Sequence, residues 1–325
     1  MRIAIIGAGA AGLVTAARLA ERGLTAEIFE ASDRLGAGAA SWLAGGMLAP
    51  YCEAEDAGPG IIAPGLAGID WWSTNVPRVE RGGTLVVAPW RDRSDLARFA
   101  RRTRGHERIG SDRIAMLEPD LAGRFSEALF FPEEAHLDPR LALESLAARV
   151  SRSGGPVRFG ASVDAATLDH DFVVDCRGFA AAEETPALRP VRGEMLILKS
   201  DDLSLSRPVR LLHPRWPVYV VPRGDGLFMV GATVVESDDR RGVTARGMVD
   251  LLNAAYALHP AFAEAEIVET GSGLRPAFPD NLPRVSRHGR VVTVNGLYRH
   301  GFLLSPAVAE EAVTHILGEG LKAAS

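Results

Sequence analysis

The sequence predicts an α/β fold in which a parallel-sheet domain is interleaved with a second domain built on an antiparallel sheet. Two observations predict this class. A βαβ pattern with a glycine-rich turn opens the chain, and short strands separated by tight-turn signals follow its middle. The length of 325 residues, with 47% hydrophobic and 24% charged residues, is sufficient for two packed domains.

The first element is a short apolar run over residues 2–6, which is typical of a buried parallel strand. A helix is predicted over residues 12–22, where leucine and alanine recur at helical spacing, and Gly23 ends it. Residues 25–29 form a second strand. The three elements together make one βαβ unit.

Glycines in the turn of this unit indicate a dinucleotide site. Gly7, Gly9 and Gly12 form a Gly-x-Gly-x-x-Gly motif after the first strand, and Glu30 follows the second. Gly7 permits the tight turn, Gly9 lets backbone approach a pyrophosphate, and Gly12 allows close helix–strand packing. The helix N-terminus attracts phosphates, and the Glu30 carboxylate accepts hydrogen bonds from ribose hydroxyls. The predicted cradle is Rossmann-like and comprises Gly7, Gly9, Ala10, Ala11, Gly12 and Glu30.

The segment after this unit bears on which dinucleotide binds, because the glycine motif serves both NAD and FAD. Nine of the fifteen residues 36–50 are glycine or alanine, and Trp42, Leu43, Met47 and Leu48 interrupt them. The large side chains favour a packed segment over a flexible linker. Backbone with few side chains suits contact with a flat tricyclic ring, so this segment favours FAD.

The remaining elements divide between the two predicted domains. A strand at 84–88 and a helix at 94–104 precede Asp138-Pro139, which opens a helix over 140–151 because proline suits a first helical turn. Ser305 is the predicted N-cap of a last helix, which runs from Pro306 to residue 317. Further strands are predicted at 156–159, 172–175, 195–199, 218–221, 227–230 and 290–295, and a further helix at 244–258.

The order of these elements predicts that neither domain is continuous in sequence. The predicted FAD-binding domain comprises residues 1–75, 138–185 and 270–325. The predicted substrate-binding domain comprises residues 76–137 and 186–269.

Composition argues against several classes of function. A formal charge of −5, with acidic and basic residues interspersed, argues against a nucleic-acid surface. Cys52 and Cys176 lie far apart without metal-ligand spacing, so two reduced thiols and no metal site are expected. No apolar run is long enough to span a bilayer, and no signal-peptide pattern precedes the first strand. A soluble cytoplasmic protein is therefore expected, with the oligomeric state, including a homo-oligomer, left open.

Two arginines in short Gly- and Pro-bounded segments suggest a site for a substrate carboxylate. Arg275 lies in Gly-Leu-Arg-Pro, and Arg299 lies in Tyr-Arg-His-Gly. A guanidinium can give a carboxylate two parallel hydrogen bonds. The alternatives are a structural ion pair for Arg275 and a solvated loop position for Arg299. Glu53 and Glu55 are interpreted as a solvated acidic loop, with the edge of a pocket as the alternative.

These motifs resemble those of the glycine oxidases in the D-amino-acid oxidase superfamily, in the family's order and along nearly the whole chain. Residues 40–50 resemble the flavin-contacting segment, and residues 273–283 resemble the carboxylate-binding segment. Residues 219–223 resemble the strand that carries an active-site tyrosine, and residues 296–306 resemble the terminal flavin loop and helix. The chain is short for the family, and in the last motif Leu297 replaces a histidine and His300 an asparagine.

The resemblance implies roles for individual residues. Arg275 pairs with the substrate carboxylate, Arg299 adds to the positive field at the rim, and Tyr219 donates to the carboxylate or walls the pocket. A core tyrosine with a satisfied hydroxyl is the alternative for Tyr219. The last helix directs its positive end at the flavin. The residues implied to contact FAD, besides the cradle, are Ala40, Ser41, Gly45, Gly46, Met47, Val163, Gly178, Leu297, Tyr298, His300, Gly301, Phe302 and Leu303.

The resemblance also implies the chemistry, which is oxidation of glycine or a similar small amino acid or secondary amine. Hydride leaves the substrate α-carbon for flavin N5, the imine hydrolyses to a 2-oxo acid, and oxygen or another acceptor reoxidises the flavin. Sarcosine oxidases attach their flavin through a C-terminal cysteine, and no cysteine follows Cys176, so non-covalent FAD is implied. A role in thiamine formation is implied as well.

Two alternative functions stay open at this point. One is a D-amino-acid or other amine oxidase or dehydrogenase with a larger substrate, whose pocket Trp42, Trp216 and Phe302 would shape. The other is a flavin-binding protein without turnover, which no amine would reduce.

Overall fold

The structure is a computed structural model that describes residues 1–323. Its helices are α1 Ala10–Ala20, α2 Pro50–Ala57, α3 Ile62–Asn75, α4 Arg93–Arg102, α5 Ser111–Leu117, α6 Pro139–Arg152, α7 Ala245–Leu258 and α8 Gly301–Ala323. Its strands are β1 Ile3–Ile6, β2 Ala26–Phe29, β3 Met47–Leu48, β4 Val79–Glu80, β5 Thr84–Val87, β6 Glu107–Gly110, β7 Glu127–Phe131, β8 Ala135–Leu137, β9 Val157–Arg158, β10 Phe172–Asp175, β11 Arg189–Lys199, β12 Val209–Leu211, β13 Val218–Gly224, β14 Leu227–Gly231, β15 Val235–Glu236, β16 Glu266–Ala277, β17 Arg284–His288 and β18 Val291–Asn295.

The first sheet is the predicted parallel sheet. Its strand order is β17-β18-β10-β1-β2-β9, and the pairs are parallel except for β17 with β18. Both faces of β1 are covered, since Ile3 and Ile5 pack into the main core while Ala4 and Ile6 pack into a smaller one. Helix α1 packs against α6 and α8. This burial on both faces explains why β1 is apolar at every position.

The second sheet is the predicted antiparallel sheet, with nine strands in the described part of the chain. Its order is β15-β11-β14-β13-β12-β5-β7-β6, β16 also pairs with β11, and β5 with β12 is a parallel pair. Helix α7 covers one face through residues such as Leu251 and Leu258. The opposite face carries Met195, Val221 and Met229, which pack towards Leu43, Met47 and Tyr219. A cleft therefore lies between this face and the first sheet.

The strands assign segments of the chain to each sheet. The first sheet takes its strands from residues 3–29, 157–175 and 284–295, and the second from residues 84–131 and 189–277. A small sheet of order β3-β8-β4 lies between them in sequence. The interleaved architecture is confirmed, while the domain boundaries given above stay a prediction.

The last helix begins one turn earlier than predicted. Helix α8 starts at Gly301 and contains Pro306 in its interior, so Ser305 is not an N-cap and that prediction is wrong. Proline lacks the amide that would donate to the Phe302 carbonyl four residues back. Nε1 of the buried Trp72 donates to that carbonyl oxygen instead, at 2.6 Å. A partner from α3, 230 positions away in sequence, therefore lets the helix continue through the proline.

Candidate active site

The cleft has a volume of about 1190 Å³ and lies at the carboxyl ends of β1, β2 and β10. Residues from the glycine turn, the segment 36–47, β11, β16 and the segment 297–303, which includes the start of α8, line it. The carboxyl ends of parallel strands are where α/β folds bind their ligands. A volume above the ~1,000 Å³ of a large small-molecule pocket leaves room for a dinucleotide together with a small substrate.

The glycine turn has the geometry that its spacing predicts. Gly7 has a φ of +99°, which favours glycine, and a β-carbon on Gly12 would collide with the Gly7 carbonyl oxygen. Helix α1 begins at Ala10, two residues earlier than predicted, and Gly9 is its N-cap. The amide of Ala10 donates to Oγ of Ser41 at 3.3 Å. The amino end of α1 therefore faces the cleft, as a phosphate site requires.

Glu30 is held in place at the end of β2. Its Oε2 accepts from the Ala8 amide at 2.8 Å, and its Oε1 accepts from the Ser32 amide at 2.9 Å. Glu30 lines the cleft, and a carboxylate oxygen that accepts one hydrogen bond can accept another. The residues present thus fit the ribose end of a dinucleotide.

The segment 36–50 is packed, as predicted. Residues Ala40–Leu43 form a short 3₁₀ helix, and a β-carbon on Gly45 would lie 2.6 Å from Cε2 of Tyr219. Arg223 donates to the Ala44 and Gly45 carbonyl oxygens, each at 3.0 Å. Burial lowers the pKa of Arg223 to about 10, so its charge persists at neutral pH. This arginine fixes the backbone of the predicted flavin-contacting segment, a role that the sequence analysis missed.

Arg275 projects from β16 into the cleft with few partners. Among the described residues its guanidinium has one hydrogen bond, from Nη1 to the Thr233 carbonyl oxygen at 3.1 Å. Burial lowers the pKa of Arg275 from its ordinary value. Tyr219 and Arg299 line the same cleft as Arg275. The structural ion pair considered as an alternative for Arg275 is absent from the described part of the chain. Its other donors have no hydrogen-bond partner among the described residues, and Arg275 lines the cleft.

Arg299, in contrast, is paired with a carboxylate that the sequence analysis placed in solvent. Nε of Arg299 lies 3.5 Å from Oε2 of Glu53, and Nη1 of Arg210 lies 3.4 Å from Oε1 of Glu53. Burial raises the pKa of Glu53, but the Arg299 and Arg210 guanidiniums bring it below its ordinary value. Glu53 is therefore ionised at neutral pH. It is only 8% exposed and lines the cleft.

The interpretation of Glu53 as part of a solvated loop is wrong because α2 begins at Pro50 and turns Glu53 inward. The start of α2 is capped from outside the helix. Oε1 of Glu134, which is fully buried, accepts from the Tyr51 amide at 3.0 Å and from the Cys52 amide at 2.7 Å. The available signal was Pro50 itself, since proline is common in a first helical turn.

The structure brings most of the predicted site residues together at one cleft. Gly12 and His300 do not line it: Gly12 packs on the glycine turn, and His300 is buried with Nδ1 3.4 Å from Oε2 of Glu53. Burial lowers the pKa of His300, so its ring is neutral at pH 7. Trp216 also lies outside the cleft, where it stacks on His213. The cleft is lined by Gly7, Gly9, Ala10, Ala11, Glu30, Ala40, Ser41, Gly45, Gly46, Met47, Val163, Gly178, Tyr219, Arg275, Leu297, Tyr298, Arg299, Gly301, Phe302 and Leu303.

Comparison with known proteins identifies the family. The model for FAD-dependent oxidoreductases of the DAO type matches residues 2–314. The chain belongs to this family. An FAD-dependent oxidoreductase requires room for a dinucleotide and a substrate, and the cleft beside the glycine turn is large enough for both.

Individual relatives point in the same direction. A Rhizobium etli protein named as a thiamine biosynthesis oxidoreductase, ThiO, is 55% identical over 320 residues, which cover 98% of this chain and 97% of that protein. Glycine oxidase of Bacillus licheniformis is 27% identical over 98% of this chain and 93% of its own. The crystal structure of glycine oxidase from Geobacillus kaustophilus superposes with a TM-score of 0.83 at 25% identity, covering 96% of this chain and 94% of that one.

Within residues 1–323, none of the helices combines the length and the apolar character that crossing a lipid bilayer would demand. The described residues also contain no group of three or more His, Cys, Asp or Glu side chains placed to hold a metal ion.

Proposed function

We propose that this FAD-dependent oxidoreductase oxidises glycine or a similarly small amino acid or secondary amine to the imine, which hydrolyses to a 2-oxo acid. The observation that carries the proposal is the contrast between the two cleft arginines. Arg299 is neutralised by Glu53, while Arg275 keeps most of its donors open towards the cleft. A substrate carboxylate can therefore pair with Arg275 in the bidentate manner that guanidinium geometry favours.

The net charge of the arginines and carboxylates around Glu53 supports a substrate with one carboxylate. The positive groups are the guanidiniums of Arg275, Arg299 and Arg210. The negative groups are the carboxylates of Glu53 and Asp56, and Oδ2 of Asp56 lies 4.0 Å from Nη1 of Arg299. One positive charge remains, and a single substrate carboxylate compensates it. A dicarboxylate would leave one negative charge unpaired in a partly buried site, which is costly.

FAD, when bound, supplies the hydride acceptor for this chemistry. The residues of the chain position the substrate. Arg275 would hold the carboxylate, and Tyr219, whose ring lies against Gly45, would form the wall that turns the α-carbon towards the segment 40–47. Orientation of this kind is the main contribution that a protein makes to such a reaction. The relatives named glycine oxidase support a small substrate.

We also propose that FAD is bound without a covalent link. Both cysteines, Cys52 and Cys176, are buried, and no cysteine lies in the C-terminal loop or helix that lines the cleft. Denaturation in acid should release all of the flavin into the supernatant. Flavin that stays with the precipitated chain would contradict this part of the proposal.

The name of the Rhizobium etli relative supports a role in thiamine formation, in which the glycine imine is consumed by thiazole synthesis. Restoration of growth without thiamine in a bacterial strain that lacks its glycine oxidase would test this role. An Arg275→Met variant is the matched control, because it retains the cofactor cradle and lacks the guanidinium.

Anaerobic mixing tests the reaction itself. The purified holoprotein is mixed with glycine, sarcosine, D-alanine or a larger amine, and loss of the visible absorbance of oxidised flavin is followed. Glycine or sarcosine should reduce the flavin fastest. Reduction by the larger amine alone would favour the larger-substrate alternative, and a flavin that none of them reduces would favour a protein without turnover. Readmission of air then shows whether oxygen reoxidises the flavin or another acceptor is needed.

A further inference from the structure

Gly193, on the strand next to Arg275, has a position that the proposed reaction does not yet explain. Strands β11 and β16 pair along their length, with Val191 opposite Arg275 and Gly193 opposite Gly273. Val191 and Gly193 are two residues apart and so lie on the same face of β11. The Arg275 side chain crosses β11 diagonally and brings its guanidinium over Gly193.

The guanidinium occupies the space that a side chain at position 193 would need. A β-carbon built on Gly193 would collide with Cζ, Nη1 and Nη2 of Arg275, and these are its three nearest atoms. The φ of Gly193 is not in the left-handed region, so the backbone conformation does not require glycine there. The nearest obstacle to a side chain at position 193 is therefore the Arg275 guanidinium.

The same strand also fixes the acceptor that orients the guanidinium. The Thr233 carbonyl oxygen accepts from Arg275, and Thr233 is fastened to Glu194 by three hydrogen bonds. The Glu194 amide donates to Oγ1 of Thr233 at 2.9 Å, and the Thr233 amide donates to the Glu194 carbonyl at 3.2 Å. Oγ1 of Thr233 lies 3.2 Å from Oε2 of Glu194, to which it donates.

We propose that Gly193 is a positioning residue for the substrate carboxylate, because the Arg275 guanidinium packs directly against its backbone. Thr233, which Glu194 holds by hydrogen bonds, supplies the carbonyl oxygen that accepts from Nη1 of Arg275. Gly193 and Thr233 together fix the position of the guanidinium in the cleft and leave its remaining donors for the carboxylate. This inference rests on the proposed function, because it assigns the substrate carboxylate to Arg275.

The test is a double-mutant cycle with Gly193→Ala, Arg275→Met and the double variant, all as holoproteins. Methionine ends near the position of Nε and carries none of the three colliding atoms. Acetate, a carboxylate without an amine to oxidise, is titrated while the perturbation of the flavin spectrum is followed. FAD affinity and melting temperature are measured in parallel.

In the Arg275 background, Gly193→Ala should raise the acetate Kd at least about tenfold, because a guanidinium displaced by a methyl group no longer meets the carboxylate. The melting temperature should fall by less than about 2 °C, because the guanidinium is the far end of a flexible side chain and can move aside. In the Arg275→Met background the same change should move the acetate Kd less than about twofold and leave the melting temperature unchanged.

An unchanged acetate Kd in Gly193→Ala, or equal effects in both backgrounds, overturns the proposal. If Gly193→Ala fails to bind FAD or to fold, the double variant with Arg275→Met decides the question. Recovery of folding and FAD binding in the double variant supports a collision with Arg275, whereas failure of both variants contradicts it. A wild-type acetate Kd in Arg275→Met alone would instead overturn the carboxylate assignment and hence the proposed function. The two failures are therefore distinguishable.

Discussion

Replacement of Trp72 by phenylalanine tests how the last helix passes through its proline. Trp72 is fully buried, and its Nε1 donates to the Phe302 carbonyl at 2.6 Å. Pro306 cannot donate to that carbonyl. Trp72→Phe therefore leaves a buried carbonyl oxygen without a partner, and such a group costs about 1–3 kcal/mol.

The ring change adds a smaller term, because Trp72 packs 5.4 Å from the ring of Phe302 and 5.0 Å from that of Trp71. A second substitution separates the two terms. Pro306→Ala restores an amide at the position that donates to Phe302 in an ordinary α-helix. In the Trp72→Phe background this amide should recover the part of the free energy of unfolding that was lost with the hydrogen bond. The part lost through poorer ring packing should remain.

Thermal unfolding, followed by circular dichroism with FAD at a fixed excess, measures both effects. For a chain of this length each kcal/mol corresponds to about 2 °C, so Trp72→Phe should lower the melting temperature by about 2–6 °C through the carbonyl alone. Pro306→Ala should raise the melting temperature of Trp72→Phe by a similar amount. Pro306→Ala alone gives the control for the loss of proline rigidity, about 0.4–1 kcal/mol. Equal effects of Pro306→Ala in both backgrounds would refute the reasoning.

Two further predictions concern the site, and a third concerns Glu134 at the start of α2. Arg275→Met should lower kcat/KM for glycine about 100-fold through lost charged hydrogen bonds and leave FAD affinity unchanged; normal steady-state kinetics would contradict the carboxylate role. Glu53→Gln should improve binding of malonate relative to acetate about tenfold, since Arg299 loses its main partner; an unchanged ratio in flavin titrations would count against the charge argument. Burial raises the pKa of Glu134 to about 7 from an ordinary 4.5, so the folded state favours its protonated form and stability falls as pH rises between those values. The fall amounts to about 3 kcal/mol, and Glu134→Gln should abolish it in melting curves recorded from pH 5 to 8; the same slope in the variant would exclude Glu134 as its source.

The parts of the fold that local sequence patterns determine were predictable. The glycine turn, β1, β10 and α7 follow from apolar periodicity and from glycine, proline or threonine at the ends of elements. The start of α8 was not predictable, because it depends on a hydrogen bond from Trp72. A Ser-Pro pair signals a helix start only when no distant donor replaces the missing amide.

The candidate site shows the same division. Arg275, Arg299 and Tyr219 were predicted from motifs. Arg223 was missed and Glu53 was assigned to a solvated loop, with the pocket edge as the alternative, because their contacts have long sequence separation. Glu53 meets Arg210, 157 positions away, and Arg223 meets Ala44, 179 positions away. No periodicity or spacing reports contacts of this kind.

The same long-range contacts decide which arginine is available to a substrate. Arg275 and Arg299 each lie in a short segment next to glycine or proline, and only the resemblance assigned the carboxylate to Arg275 and a place at the rim to Arg299. Glu53 makes them different, because its ionised carboxylate pairs with Arg299, whereas Arg275 has a single backbone acceptor within residues 1–323. An arginine already paired with a buried carboxylate gains little from a second one, whereas an open guanidinium gains two charged hydrogen bonds. The proposed specificity for one carboxylate is therefore a property of the Glu53–Arg299 pair as much as of Arg275.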